Sequence, residues 1–467
     1  METLSSSPAL KAAATTTALT HPHFYPAAVP RSTAFRASAN GIALDVLHHP
    51  AADHASLECS GPLEIEIEIL VQRDHPFGKT AIVRPLSRSI TAEMKGSVVR
   101  FTIPQPENLQ IEIEGLPLLY IYALPVAPET PTGPRVRRFE SGKIHNVGLL
   151  VLKEGETCWI DAGAVMRGSI RSEHTAHVRI GGYGILDGSY WTELEGRRRK
   201  ALVLDHCRNA RVEGILMLGP SQWMLVLGAC TDIAVEGVRQ IAKEGSTDGI
   251  DICGSRRVRI TGCCLHNGDD NIAIKAIRNR SGEDERVPLG FPDEDWKGTV
   301  EDVVVEKCSL YKINGGSSME IGYETSTDHI RNIRFENIDV LAMHNFGSVF
   351  GIHNGDRACV ENIVWNNIRV EHHYDKLIDF RVVKSRWNID KERGSIGNIT
   401  LSNINVLQTQ HNGGYTVSMM SGINGQHIID GIRISNFVLG GRVVRSADDL
   451  DLLTRHVHNL IFADAEN

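Results

Sequence analysis

Asp248 stands in the segment Ser246-Thr247-Asp248-Gly249-Ile250-Asp251-Ile252. An adjacent pair, Asp269 and Asp270, stands in His266-Asn267-Gly268-Asp269-Asp270-Asn271-Ile272-Ala273-Ile274-Lys275, 21 and 22 residues further on. That separation is about one coil of a β-solenoid, which places equivalent residues on one face, roughly 5 Å apart along the stack. Like charges so close cannot all ionise easily, so at least one carboxyl holds its proton to higher pH. A protonated carboxyl beside ionised ones suits acid/base cleavage of a glycosidic bond. One group protonates the leaving oxygen, and another draws a proton from water. A lone Asp-Asp reads more simply as a turn; three aspartates at coil spacing read as a catalytic cluster.

Further candidates surround them. Lys275 alternates with Ile272 and Ile274 and reads as a structural partner of the carboxylates rather than a catalyst. Trp223 either stacks on a sugar face or fills a coil corner, both ordinary for tryptophan. Glu320 follows a run of small residues and could bind sugar hydroxyls or raise the pKa of the acid; Tyr323 and His344 join it as candidates. Arg357, Asp379 and Arg381 read as a charge network on adjacent coils.

The elements that would position these groups are legible as a repeat. From about residue 142 a short motif recurs: strand residues, a Gly or Asn, then an apolar residue. Its markers Val212, Val235, Ile260, Val305, Phe335, Trp365, Leu401 and Ile434 are separated by 23, 25, 45, 30, 30, 36 and 33 residues. Repeats of this size are solenoids, and a β-rich repeat without helical period is a β-helix. A tight bend between sheets needs the left-handed backbone region, which Gly and Asn reach most cheaply. Asn337, Asn367, Asn403 and Asn436 should therefore stack in one ladder. The long step contains residues 277–297, a charged stretch with Gly and Pro, which reads as a loop inserted between coils. It is placed to wall off one end of the groove, and so to favour exo-action or short substrates.

The reading divides the chain into a flexible segment 1–30, a small β-sandwich over 31–130, and a right-handed parallel β-helix over 140–467, an all-β protein. In the sandwich, Asn40-Gly41 predicts a type I′ hairpin, and Leu63–Ile69 alternates strictly with its acids on one face. Such a domain is expected to be a cap or buttress.

The solenoid resembles the polygalacturonases of glycoside hydrolase family 28 and their dextranase relatives of family 49. The family pattern is Asn-Thr-Asp-Gly followed by Gly-Asp-Asp and Ile-Ala-Ile-Lys. Here these read Ser246-Thr247-Asp248-Gly249, Gly268-Asp269-Asp270 and Ile272–Lys275, and Gly182-Tyr183-Gly184-Ile185-Leu186-Asp187-Gly188 resembles an upstream family coil. The resemblance covers roughly residues 142–462, and a sandwich ahead of the helix is like the dextranase-like members. It implies an inverting hydrolase with Asp269 as general acid and with Asp248 and Asp270 holding the attacking water. The chain departs from the pattern in three places. Ser246 replaces Asn; the Gly-His-Gly stretch reads Gly315-Gly316-Ser317-Ser318; and the Arg-Ile-Lys stretch reads Gly351-Ile352-His353. His353 stands near the Lys position, with Asp356 and Arg357 just beyond. Loss of the basic pair with gain of Glu320 and Asp356 predicts a neutral glycan, since like charges would repel an acidic one.

A formal net charge of −8 argues against a nucleic-acid partner. The basic run Arg197–Lys200 reads as a solvated turn. The nine cysteines sit mostly in apolar runs and read as buried thiols; no Cys/His spacing resembles a zinc site, and nothing asks for a metal or cofactor. No segment reads as a membrane span or signal peptide, so the expected location is cytoplasmic. The expected partner is an oligo- or polysaccharide, and exposed solenoid faces leave room for a homo-oligomer. Three alternatives stay open: a polysaccharide lyase, a fructotransferase-like enzyme, and a glycan-binding solenoid without catalysis.

Overall fold

The markers of the repeat fall into one register. In the computed structural model, Val212 pairs with Val235, Val235 with Ile260, and the column continues through Val305, Phe335, Trp365 and Leu401 to Ile434. All eight are buried. Cys158 and Ile180 extend the column upstream, and Phe462 extends it downstream. The structure describes residues 19–71, 77–190, 193–194, 197–198, 200–278, 295–407 and 416–463. At the long step the chain leaves the stack and returns: Ile277 and Trp296 bridge antiparallel at the stem of the insertion. The rest of the expected wall, 279–294, lies outside the described residues.

Three parallel sheets make the helix. The ladder sheet carries the markers. A second sheet, the seat, runs through Ile185–Asp187, Leu216–Leu218, Arg239–Ile241, Cys264–Asn267 and Ser309–Lys312. The third, the site sheet, runs through Leu225–Gly228, Ile250–Cys253, Ile272–Ala276, Met319–Thr325, Ser348–Asn354 and Lys376–Val382. Because side chains alternate along each strand, every second residue enters one continuous core. Within it Trp365 stacks between Phe335 and Phe380, at 5.6 and 5.4 Å between centroids.

Between the ladder and seat sheets the chain turns through the left-handed region at Gly214, Gly237, Gly262, Lys307, Asn337, Asn367, Asn403 and Asn436, with φ from 46 to 72°. Lys307 is the exception to the Gly/Asn expectation. Asn436 donates to Asn403 at 2.7 Å and Asn367 to Asn337 at 3.5 Å, but Asn403 donates to Asn366 and not to Asn367, so the expected amide ladder is interrupted at that rung. A second such column lies ahead of the ladder strands. There Asn362 donates to Asn332 at 3.1 Å, and Asn332 donates to Asp302 at 3.0 Å.

The sandwich has two five-stranded sheets sharing one core. The Asn40-Gly41 turn joins Phe35–Ala39 to Ile42–Ala43 with both residues at positive φ. Leu63–Ile69 buries its apolar residues and exposes its glutamates. Of the segment expected to be flexible to residue 30, residues 1–18 lie outside the described residues, and Thr20–Pro22 is instead a strand that pairs with Asp53–Cys59. His23 and Tyr25 are buried beyond it, because they fill the joint with the helix. On that side Tyr120, Tyr122 and Leu124 pack on Val165, Ile185, Leu216, Ile241 and Cys264 of the solenoid. Arg84 pairs with Glu371 at 2.5 Å, carrying the contact further along the stack. Lys200 is buried, its ammonium 4.9 Å from the centroid of the Trp223 ring, so the basic run does not end in solvent. All nine cysteines are free, and eight are buried. Among the described residues no helix is long and apolar enough to cross a membrane.

Candidate active site

The corner between the seat and site sheets carries the aspartates. Ile250, Ile272 and Met319 share a register column, so Asp248, Asp270 and Ser317, each two residues earlier, occupy equivalent places on successive coils. The Gly249 amide donates to the Asp270 carbonyl at 2.8 Å, and the Asn271 amide to the Ser317 carbonyl at 3.1 Å. Asp248 and Asp270 are buried, whereas Asp269 is partly exposed at the mouth of the groove. Asp269 accepts from the amides of Ser246 at 2.9 Å and Asp270 at 3.1 Å; Asp270 accepts from the amide of Ser317 at 2.5 Å.

Glycine is required at two points of this corner. A β-carbon on Gly268 would lie 2.1 Å from the Glu244 carbonyl oxygen. Gly316, at φ +79°, would carry one 2.3 Å from Asp269 Oδ1 and 2.5 Å from Asp270 Oδ1. Beneath the loops runs a buried amide chain: Asn271 donates to Asn267, Asn267 to Gln240, and Gln240 to the Gly249 carbonyl, each at 2.9 Å. It satisfies polar groups that would otherwise be costly in the core and fixes the loop that carries Asp248.

Lys275 ties the cluster to the sheet. Its ammonium donates to Asp248 Oδ2 and to Asp251 Oδ1, both at 2.8 Å, and lies 4.1 Å from the centroid of the Trp223 ring. Burial pushes the Asp248 carboxyl well above the usual range; Lys275 opposes that shift, and Asp251, Asp269 and Asp270 add to it. Burial also lifts Asp270 well up, with Asp269 and Glu320 adding to the effect. For Lys275 burial works against the charge, but Asp248 and Asp251 outweigh it and hold the ammonium well above its usual range.

A second polar group lies further along the same face. His353 Nδ1 is 2.6 Å from Glu320 Oε1, and its Nε2 is 3.3 Å from Asp379 Oδ2. Burial disfavours the imidazolium, yet the two carboxylates outweigh it and lift His353 to about 9. Tyr323 stacks on the ring at 4.3 Å, and Arg381 Nη2 donates to Asp379 at 2.9 Å. Gly351 makes room, since a β-carbon there would lie 2.1 Å from Glu320 Oε2. That oxygen is buried and has no hydrogen-bond partner among the described residues.

A groove of about 470 Å³ brings together Asp248, Asp269, Asp270, Trp223, Lys275, Glu320, Tyr323, His353, Asp379 and Arg381. Asp356 and Arg357, expected in the site, lie outside it. Asp356 is buried and accepts from the amides of Thr325, Ile389 and Asp390, so it organises a turn. Arg357 pairs with Asp328 and Asp390 on the surface. His344 contacts the Tyr311 hydroxyl at 3.0 Å and lies away from the groove. Trp223 is only 7% exposed, so its ring serves Lys275 more than a passing sugar.

The sequence reading missed Asp251, Phe346, Asp375, Lys376 and Trp387. Phe346 is 69% exposed at the rim, and an aromatic between Asn345 and Gly347 in a turn was its available signal. For metals, His329, Cys359 and Glu361 place three ligand-type atoms within 4.8 Å of one another, on the ladder sheet and not in the groove.

The sequence profile of glycosyl hydrolases family 28 matches residues 155–411, more than half the chain and all three aspartates. The protein belongs to glycosyl hydrolase family 28. This family 28 chain is 28% identical over 215 residues to a probable polygalacturonase of Arabidopsis thaliana, covering 42% of this chain and 47% of the relative. It is 29% identical over 109 residues to a polygalacturonase of Juniperus ashei, covering 20% and 22%. The chain thus spans less than half the length of these curated relatives. Among solved structures, Dex49A from Penicillium minioluteum superimposes with a TM-score of 0.67 at 12% identity, over 94% of this chain and 96% of that one. An exopolygalacturonase from Thermotoga maritima gives 0.51 at 15%, over 70% and 84%. At these identities the likeness is one of fold, and with Dex49A it extends along nearly the whole chain.

Proposed function

We propose that this family 28 protein is an inverting glycoside hydrolase acting on a neutral oligo- or polysaccharide. The observation that carries the substrate class is the charge of the groove. Seven carboxylates line it against three Lys or Arg side chains and the His353 imidazolium; His353 is held by Glu320 and Asp379, and each of the other three is already matched. Lys275 is held by Asp248 and Asp251, Lys376 by Asp375 at 3.2 Å, and Arg381 by Asp379. An acidic chain would meet uncompensated negative charge. A neutral sugar meets no such repulsion and can lay its apolar face on Phe346 or Trp387, which line the groove.

Asp269, partly exposed, suits the group that meets the leaving oxygen as general acid. Asp248 and Asp270, buried behind it, suit the pair that holds and activates water. Burial and the neighbouring carboxylates push the Asp248 and Asp270 carboxyls well above the usual carboxylate range. Exo-action belongs to the same reading, supported by an insertion whose stem, Ile277 and Trp296, stands directly after the site strand Ile272–Ala276.

The test is an NMR time course of wild type and Asp269→Asn on neutral and acidic oligosaccharides. The expected result is a reducing sugar of inverted configuration from a neutral substrate, lost in the variant. A second reading, a galacturonate-containing substrate, is favoured by the names of the relatives and by Lys376 and Arg381 in the groove. Faster cleavage of polygalacturonate than of any neutral glycan would establish it and sink the first.

A further inference from the structure

We propose that Lys312 is a positioning residue for the catalytic carboxylates, its ammonium pinning the backbone loops that roof Asp269 and Asp270. The proposal rests on reading that pair as catalytic. Lys312 ends the seat strand Ser309–Lys312 and is wholly buried. Its Nζ donates to the carbonyl oxygens of Asn314 at 2.7 Å, Gly315 at 3.3 Å and Phe346 at 2.8 Å. Among the described residues no carboxylate lies within ion-pair distance of it. A buried ammonium held only by carbonyls is costly, and an apolar side chain would fill a core position with less penalty.

What the charge holds together explains its place. Asn314 and Gly315 belong to the loop of one coil, and Phe346 belongs to the loop of the next. The two loops touch, since a β-carbon on Gly347 would lie 1.7 Å from the Gly316 carbonyl oxygen. Gly316 abuts both aspartates, and the next amide, that of Ser317, donates to Asp270. On one side the Asn314 side chain donates to the Lys243 carbonyl, in the loop leading to Asp248. On the other side the Gly347 amide donates to Asp375 at 2.9 Å. One cation therefore sets the spacing of loops on successive coils, behind the acids and out of reach of substrate. A shift of about 1 Å in such a frame is enough to cost about a hundredfold in rate.

The charged groups facing Lys312 are Asp269, Asp270 and Asp375, with Lys376 paired to Asp375 and His344 on the next coil. Burial pulls the ammonium down to about 8, against the three acids. Its charge, and with it the loop spacing, is then lost as the pH rises through that value.

The experiment follows reducing-sugar release from dextran and from polygalacturonate, whichever is cleaved, by wild type, Lys312→Met, Lys312→Gln and Asp269→Asn. Lys312→Met should lose about tenfold or more in kcat with KM within about threefold, as expected for a group that shapes the catalytic frame and does not touch substrate. Wild-type kcat should fall above about pH 8 while far-UV circular dichroism stays constant, and that limb should be missing from the variant. Normal kcat in both Lys312 variants, or a wild-type kcat flat to about pH 9.5, overturns the proposal. If Lys312→Met does not fold, Lys312→Gln and the wild-type alkaline limb decide. If Asp269→Asn keeps full activity, the reading of the acids falls instead, whatever Lys312 does.

Discussion

Replacing Lys275 by methionine tests the electrostatics of the acid cluster directly. Its ammonium stands 2.8 Å from Asp248 and from Asp251, and all three groups are buried. Methionine keeps most of the volume against the Trp223 ring, so the change is chiefly one of charge. Removing one partner of a buried ion pair costs about 3–5 kcal/mol, because the other charge is left uncompensated. The protein escapes part of that cost by protonating Asp248 or Asp251, and protonation of Asp248 removes one of the proposed bases. An opposite charge at this range shifts a carboxyl by about 1–3 pH units. The ammonium favours the ionised form, so its loss raises Asp248 further. The acidic limb of kcat should therefore move up by about 1–3 units. At about pH 6 the rate should fall roughly ten- to a thousandfold and recover in part as the pH is raised. A pH–rate profile and urea denaturation read both effects, and Asp251→Asn in the same background should return part of the stability. An acidic limb that stays in place, with stability within about 1 kcal/mol of wild type, would refute the reasoning.

Other expectations follow from separate parts of the molecule. Burial holds His49, His54, His266 and His372 neutral, at about 4, 3, 3 and 4. The unfolded chain protonates them near pH 6.5, so it binds more protons than the folded one as the pH falls from there to about 4. Stability should drop over that window by about 2–3 kcal/mol each for fully buried His54 and His266; a denaturation midpoint constant from pH 7 to about 4.5 would contradict this. Gly316→Ala should cost about 1–3 kcal/mol and most of kcat, since it combines an unfavourable φ with a clash against Asp269 and Asp270, the proposed catalytic pair; an active, stable variant would show that the corner can relax. Asn367→Ala should cost about 1–2 kcal/mol in urea while Asn367→Gly costs clearly less, because only the former is forced into the left-handed region; equal losses would mean that the amide ladder, not the backbone, carries the effect. Phe346→Ala should raise KM by about tenfold with little change in kcat if the exposed ring stacks on sugar.

The solenoid was legible because its physics is periodic. The apolar marker and the left-handed corner recur once per coil, and the register of Val212 through Ile434 follows from that spacing alone. The three aspartates were legible for the same reason, since coil spacing turns separation along the chain into adjacency in space. Contacts without a period were not readable. Asp356 and Arg357 follow His353 closely in sequence, but the chain has already left the site strand there, so both serve a turn. Asp251 alternates with apolar neighbours as an ordinary strand residue does, and only the fold shows that it shares Lys275 with Asp248. Phe346, Lys376 and Trp387 reach the groove from coils about a hundred residues beyond the aspartates. The strand at Thr20–Pro22 was hidden because its pairing partner lies in another part of the sandwich.

The seating of the sandwich on one face of the helix changes how the molecule should come apart. A bare solenoid holds each coil only by its neighbours, so disorder can enter at either end and advance rung by rung. Here a rigid splint, fastened by Tyr120 and Tyr122 to the early coils and by Arg84 to Glu371, binds coils that are not neighbours. Those splinted coils are the ones that carry the aspartates, while among the described residues no ion pair or hydrogen bond joins the sandwich to the coils after Glu371. Fraying should start at the C-terminal coils and halt where the splint begins, so the groove would keep its shape while the far end of the stack is already melting.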